Sequence, residues 1–177
     1  MTETLAVAIP TRPAEQALDF DALYRTSRDD VFAYVASLLR DRSAAEDVTA
    51  MAFERAFRRR RTFSPRRGSP RGWLFGIARN AALDELRRRK RVAPLVADPE
   101  DVSATLAAED GAELALRREV VRAGLERLEA RDRELIALKF FAGLSNVELA
   151  GVLGVSESNA GTLLHRAVSK LRKACHA

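Results

Sequence analysis

A chain of 177 residues that is 47% hydrophobic and 31% charged has room for one ordinary domain or two small ones, in the composition range of a folded soluble protein. No apolar run approaches the roughly 20 residues of a membrane helix, so no membrane insertion is expected; the N-terminus lacks the features of a signal peptide; and a lone cysteine, Cys175, excludes an internal disulfide and fits a reducing, cytoplasmic compartment. The net charge of +5 conceals an asymmetry: from Arg55 to Arg91 stand fourteen Arg or Lys against two acids, Asp84 and Glu85, a block of +12 that leaves the remainder at −7. Such a block is an electrostatic footprint for a polyanion.

Residues 1–16 read as a disordered leader, with Pro10 and Pro13 opposing helix. Helical spacing then sets in and no strand pattern occurs, which predicts an all-α protein. Leu18, Phe20, Leu23 and Tyr24, then Val31, Phe32, Val35, Leu38 and Leu39, recur every three or four residues. A second helix is expected to open at Ser43, with Glu46 completing a capping box. Ala45, Val48, Ala52, Phe53, Ala56 and Phe57 form its expected buried face, and Asp47, Ala50, Glu54 and Arg58 its opposite stripe. FSPRRGSPRG is a loop by composition, and Ser69 followed by Pro70 starts the next helix, which runs to about Arg91.

That helix exposes one narrow strip. With Asn80 at zero, Trp73, Asp84, Arg87 and Arg91 fall within about 40°, while Leu74, Phe75, Ile77, Ala78, Ala81, Ala82, Leu83 and Leu86 occupy most of the remaining circumference. An amide, a ring and guanidiniums are the groups that unpaired nucleic acid needs: stacking, base-edge bonding and phosphate binding. Trp73 has two open roles, stacking on a base or packing the core. Asp84 has a local role available in pairing with Arg87 or Arg88.

Residues 93–112, with Pro94, Pro99 and several acids, read as a linker between domains at 17–92 and 113–177. A helical pattern resumes through Leu114, Leu116, Val120, Val121, Leu125 and Leu128, and another carries Leu135, Leu138 and Phe141 inward before Gly143 stops it. Ser145 and Glu148 form a capping box, Gly154 supplies a turn, and Ser156 can cap a final helix. The apolar face of that helix is Ala160, Leu163, Leu164, Ala167, Val168 and Leu171; Asn159, Thr162, Arg166, Lys170 and Lys173 project oppositely. This helix-turn-helix pattern suits major-groove docking, with N-terminal side chains on base edges and Arg or Lys on phosphates.

Three segments in order resemble the small, two-domain extracytoplasmic-function group of bacterial sigma factors. AAEDVTAMAFERAFRR resembles the core-binding helix of region 2, PRGWLFGIARNAALDELRRRKR the segment that melts and reads the −10 element, and LSNVELAGVLGVSESNAGTLLHRAVSKLRKA the region 4 reader of the −35 element. The resemblance implies core RNA polymerase and promoter DNA as partners, an anti-sigma factor as a further one, and no catalysis. It implies polymerase contacts at Asp47, Ala50, Met51 and Glu54, with the second domain on the flap. The −10 contacts would be Trp73, Asn80, Asp84, Arg87, Arg88 and Arg91, and the −35 contacts Ser158, Asn159, Thr162, Arg166 and Lys170. Two departures stand out: Ala50 and Met51 replace a common Gln-Glu pair, and Gly161 and Leu163 replace frequent Lys and Arg.

The alternative is a conventional helix-turn-helix regulator that binds duplex DNA without polymerase. Against it stands a basic strip where a sensor domain needs a pocket. An enzyme is the third class. No metal-ligand spacing, phosphate-binding glycine loop or nucleophile elbow occurs, so no cofactor, metal or catalytic residue is expected.

Overall fold

The computed structural model describes residues 18–92 and 112–176; the leader at 1–16, Pro94, Pro99 and the linker residues up to 111 lie outside the described residues. Seven α-helices and no strand occur among the described residues. They are α1 (Phe20–Leu39), α2 (Arg42–Arg59), α3 (Pro70–Val92), α4 (Ala112–Glu126), α5 (Ala130–Phe140), α6 (Asn146–Leu153) and α7 (Glu157–His176), with two short 3₁₀ turns between α2 and α3.

Helices α1, α2 and α3 pack as one bundle. Tyr34, Val31, Val35, Leu74 and Phe75 are fully enclosed, and Tyr34 meets Phe75 edge to face at 5.6 Å. Between α2 and α3 the buried residues are mostly alanine (Ala45, Ala52, Ala56, Ala78, Ala82), which lets the helices approach closely. Phe53 fills the end of this seam with Tyr24 at 4.8 Å and Phe20 at 6.5 Å.

The α1–α2 turn departs from the expected cap. Arg40 takes the left-handed conformation (φ 51°) and donates its N–H to Ala36 O at 2.9 Å. This leaves Asp41 extended, and its carboxylate accepts from Ala44 N at 3.0 Å. Asp41 is therefore the cap, Ser43 lies inside the first turn, and Glu46 bonds Arg42 at 3.1 Å instead of closing a box. A carboxylate at this position also meets the positive end of the helix dipole. Its bond from Ala44, with help from Arg89, holds the Asp41 carboxyl below its usual value. Phe57 also differs from expectation. It is 48% exposed, set between the Phe20 ring at 5.2 Å and the Arg60 guanidinium at 3.8 Å.

Helices α4 to α7 form the second bundle around Leu135, Leu138, Leu144, Leu149, Ala160 and Ala167. Gly124 lets α4 lie against α7: a Cβ there would stand 2.7 Å from Cys175 Sγ and 3.2 Å from Leu171 Cδ1. The two bundles pack on each other, α5 against α1 and α6 against α3. Helix α5 is consequently buried on nearly every side, Asp132 and Glu134 included.

The C-terminal part of α3 is tied to the rest of its bundle by charge. Glu85 accepts two 2.7 Å bonds from Arg88 and one of 2.9 Å from Arg89, which also reaches Asp41 at 2.8 Å and Leu39 O at 3.3 Å. Arg88 first, then Arg89, hold the Glu85 carboxyl at about 2 in spite of its burial. A carboxylate lowered on folding stabilises the fold above its unfolded value and loses that contribution as pH falls through the folded one. E85Q is expected to destabilise the chain by about 1–2 kcal/mol at neutral pH, discounted for the exposure of Arg88. In urea titrations the gap from the parent chain should shrink between pH 4.5 and about 2.

Candidate nucleic-acid interface

Helix α3 begins at a cap made by Ser69, whose Oγ accepts from Gly72 N at 3.0 Å, with Pro70 in the first turn. The loop before it contains Gly68 at φ 138°, ψ −176°, a backbone region in which only glycine is unstrained. From this start the helix presents Asn80, Asp84, Arg87 and Arg91 on one exposed line. Trp73 is half-buried and leans on Phe63 of the loop, with ring centroids 5.5 Å apart. The ring braces the loop, with part of it left accessible.

The arginines of this strip are not equivalent. Arg87 bonds Asp84 at 3.1 Å, and Asp84 also draws Arg55 to 3.6 Å. Arg88 is neutralised by its fork onto Glu85. Arg91, and Arg61, Arg66 and Arg67 of the loop, are exposed with no carboxylate in bonding reach among the described residues. The three loop arginines are absent from the sequence-predicted set. Their signal was in the RRRR and PRR runs, outside the helical projection. Asn80 likewise has no side-chain partner among the described residues, so its amide is open to a base edge.

In the second bundle, α6 begins at the Ser145–Glu148 capping box, with Ser145 N donating to Glu148 at 2.7 Å and Glu148 N to Ser145 Oγ at 3.2 Å. Burial pushes the Glu148 carboxyl up, but bonds from Ser69 and Ser145 outweigh it and hold the group below its usual value. Gly154 turns the chain at φ 69°, and Ser156 Oγ accepts from Asn159 N at 3.3 Å. Ser158, Asn159, Thr162 and Arg166 are all exposed on α7. Thr162 spends its hydroxyl proton on Ser158 O at 3.0 Å. Lys170 lies about 65° from the centre of this face and turns toward α5. There it bonds Asp132 at 2.6 Å, which raises the lysine above its usual value. Lys173 is exposed close to the centre of the face, and His165 and Arg172 are exposed along its opposite edge, about 75–95° from the centre.

A third surface lies on α2. Asp47, Ala50, Met51 and Glu54 are exposed in one stripe, with Glu54 bonded to Arg58 at 2.6 Å. Phe57, expected in the core, extends this stripe, so that two large apolar side chains, Met51 and Phe57, are exposed on it. No group of three or more potential metal ligands occurs among the described residues, and no described helix is long and apolar enough to cross a membrane.

A helix-turn-helix with an open polar face, joined to a bundle carrying an exposed amide and free guanidiniums, defines a DNA-binding transcription protein. Residues 23–92 match the family model for sigma-70 region 2, and residues 118–171 that for sigma-70 region 4. The chain is 32% identical over 162 residues to the ECF RNA polymerase sigma factor SigX of Bacillus subtilis, covering 87% of this chain and 82% of that one. It is 33% identical over 161 residues to SigL of Mycobacterium tuberculosis, covering 90% and 89%. The fold matches RpoE of Bartonella quintana, solved with the anti-sigma factor NepR, at a TM-score of 0.74 and 23% identity over 90% of this chain and 98% of that one. It matches CnrH, solved with the cytosolic domain of CnrY, at 0.60 and 26% identity over 87% and 85%. The chain belongs to the extracytoplasmic-function group of the sigma-70 family, the factors that direct RNA polymerase to promoters.

Lys170 and Lys173 are expected to separate in experiment. K170A strands the buried Asp132 and should lower the melting temperature, whereas K173A should leave it unchanged. K173A should instead reduce the slope of log affinity against log salt by about 0.9 in polymerase-dependent promoter binding.

Proposed function

We propose that this sigma factor reads a promoter at two places with two different chemistries. Helix α7 lies in the major groove of the −35 element, with Ser158, Asn159, Thr162 and Arg166 on base edges and nearby phosphates, and His165, Arg172 and Lys173 continuing the face. Lys170 serves this reading indirectly, by fixing α7 to α5. At the −10 element the strand is melted. The Asn80 amide, with the loop from Phe63 to Ser69, takes an unstacked base, and Arg61, Arg66, Arg67 and Arg91 hold the phosphates. Arg87 and Arg88 contribute through the local field, since both are already paired.

The observation that carries this reading is the contrast between the two surfaces. A duplex reader needs a helix with a polar N-terminal half and cations beyond it, and α7 has one. A reader of unpaired bases needs an open amide or ring beside free guanidiniums, and α3 with its loop has those. The stripe of Asp47, Ala50, Met51 and Glu54, with Phe57, docks on the coiled coil of the largest polymerase subunit. With Ala50 and Met51 in place of amide and acid, this contact leans on apolar burial. The second bundle docks on the flap. RpoE and CnrH, which share the fold, were solved with the anti-sigma factor NepR and with the cytosolic domain of CnrY, and an anti-sigma factor is proposed here as the protein that holds this chain inactive. No step of chemistry belongs to the chain itself; it acts in the cytoplasm, at the nucleoid when active.

Gel-shift and run-off assays on genomic promoter fragments, with and without bacterial core RNA polymerase, test the reading. Specific shifts and transcripts are expected only with both proteins present; a promoter-specific shift by the chain alone, with no transcripts on adding core, would mark a conventional regulator. N80A should cost on the order of 1–3 kcal/mol in open-complex formation, seen as reduced permanganate reactivity, with little effect on the closed complex.

A further inference from the structure

Asp84 is the carboxylate on the exposed line of α3, and both of its oxygens are engaged. Arg87, further along the same helix, donates to Oδ1 at 3.1 Å. Arg55 of α2 stands 3.6 Å from Oδ2, across the seam between the two helices. The two contacts differ in kind. The first is a hydrogen bond; the second is too long for one, so Arg55 is drawn by charge alone. The Arg55 guanidinium therefore keeps its N–H donors for a further partner.

Pairs this exposed do little for folding. The side chains of Arg55, Asp84 and Arg87 keep 39%, 55% and 70% of their surface, and ion pairs in such surroundings contribute little stability. Asp84 is not free to read a base either, since a guanidinium already faces each oxygen. As a bare charge it would repel the phosphates that the neighbouring arginines attract. What remains for it is a positional role. A long arginine side chain loses rotamer freedom when it binds, and one already held at the site has less to lose.

The same seam carries a second cation. Asp41 at the start of α2 meets Arg89 near the end of α3, and Arg55 near the end of α2 meets Asp84 further back, so the two helices run antiparallel. Arg59 is one turn beyond Arg55, and Asn80 is one turn before Asp84; each step is about 6 Å along its helix. The register that brings Arg55 to Asp84 therefore brings Arg59 to the level of Asn80. In projection Arg55 and Arg59 lie about 60° and 20° from Ala52, which is buried in the seam. Arg59 is nevertheless exposed, at the end of α2, and has no carboxylate in bonding reach among the described residues. On α3, Asp84 lies about 40° from Asn80, on the side away from Gly72 and Arg79.

We propose that the −10 face is two helices wide: Arg55 and Arg59 of α2 form a second row of phosphate contacts beside the Asn80 strip, and Asp84 is the positioning residue that holds Arg55 in that row. Arg87 fixes the carboxylate from one side, and the carboxylate steers Arg55 from the other. The amide of α3 and the guanidiniums of α2 then meet one strand together, base edge on one helix and backbone on the next. The second row rests on the −10 reading given above.

The full chain bound to core RNA polymerase, on a fork-junction fragment of a transcribed promoter with its −10 segment single-stranded, tests this. R55A and R59A should each reduce the slope of log affinity against log salt by about 0.7, the value for one phosphate of a single strand, with the melting temperature unchanged. D84N should weaken binding about two- to tenfold at fixed salt. Charge counting alone expects the reverse, because D84N removes a negative charge from a surface that meets phosphate. In an R55A/R87A background the sign should switch: the carboxylate then has nothing to hold and only repels, so D84N should strengthen binding. A loss of fold would weaken binding in both backgrounds and cannot produce that switch. Tighter or unchanged binding by D84N in the otherwise native chain overturns the positioning role. Salt slopes for R55A and R59A equal to that of the parent overturn the second row. If N80A binds the fork junction as tightly as the parent, the −10 reading fails and the second row with it. If N80A binds weakly while R55A, R59A and D84N match the parent, the −10 reading stands and only the second row falls.

Discussion

Helix α3 is buried on most of its circumference and still keeps one polar strip open, and the rest of the structure is arranged around that constraint. Its apolar residues face α1 and α2, and alanines at the α2 seam bring the helices close enough to leave one strip uncovered. Its start is set by Ser69 and Pro70, its far end by Glu85, Arg89 and Asp41. A helix fixed at both ends and packed along its length holds its exposed amide in one place. That preorganisation is what recognition of an unstacked base requires, since a mobile side chain must pay its own ordering cost at binding.

The arginine-rich block divides into two populations with different work. Arg71, Arg79, Arg88 and Arg89 are consumed by carboxylates or carbonyls of the fold. Arg61, Arg66, Arg67 and Arg91 are exposed with no carboxylate in bonding reach among the described residues. A block of +12 therefore overstates the charge that a phosphate backbone meets, because part of it is already neutralised inside the protein. The same division separates Lys170 from Lys173 on α7.

Much of this was legible in the sequence, where local rules govern. The all-α class, the helix start at Ser69 and Pro70, the capping box at Ser145 and Glu148, and the turn at Gly154 all follow from caps and 3.6-residue spacing. Misreadings arose where two local signals competed or where the partner lay far along the chain. Ser43 and Glu46 fit a capping box, but Asp41 held the stronger, charged acceptor two residues earlier. Phe57 read as core by its helical spacing, yet it is 48% exposed. Nothing local marks Arg79 and Glu134 as partners, because 55 residues separate them and periodicity carries no information about which faces of two bundles meet. The site residues fared likewise: their exposure followed from the helical projection, but the pairing of Lys170 with Asp132 across 38 residues did not.

The close approach of α4 and α7 at Gly124 has a consequence for how the chain can change over evolutionary time. A side chain added at 124 collides with the thiol at 175, only a short and stiff group away, and with Leu171 behind it. The two positions therefore share one fixed allotment of volume. Drift at either is silent only when the other gives way, so a methyl gained on α4 selects for a smaller residue at 175, and a larger residue at 175 can persist only while 124 stays bare. Positions 124 and 175 should accordingly behave as a single coupled site in a library that randomises both, with survivors distributed along a line of constant combined size.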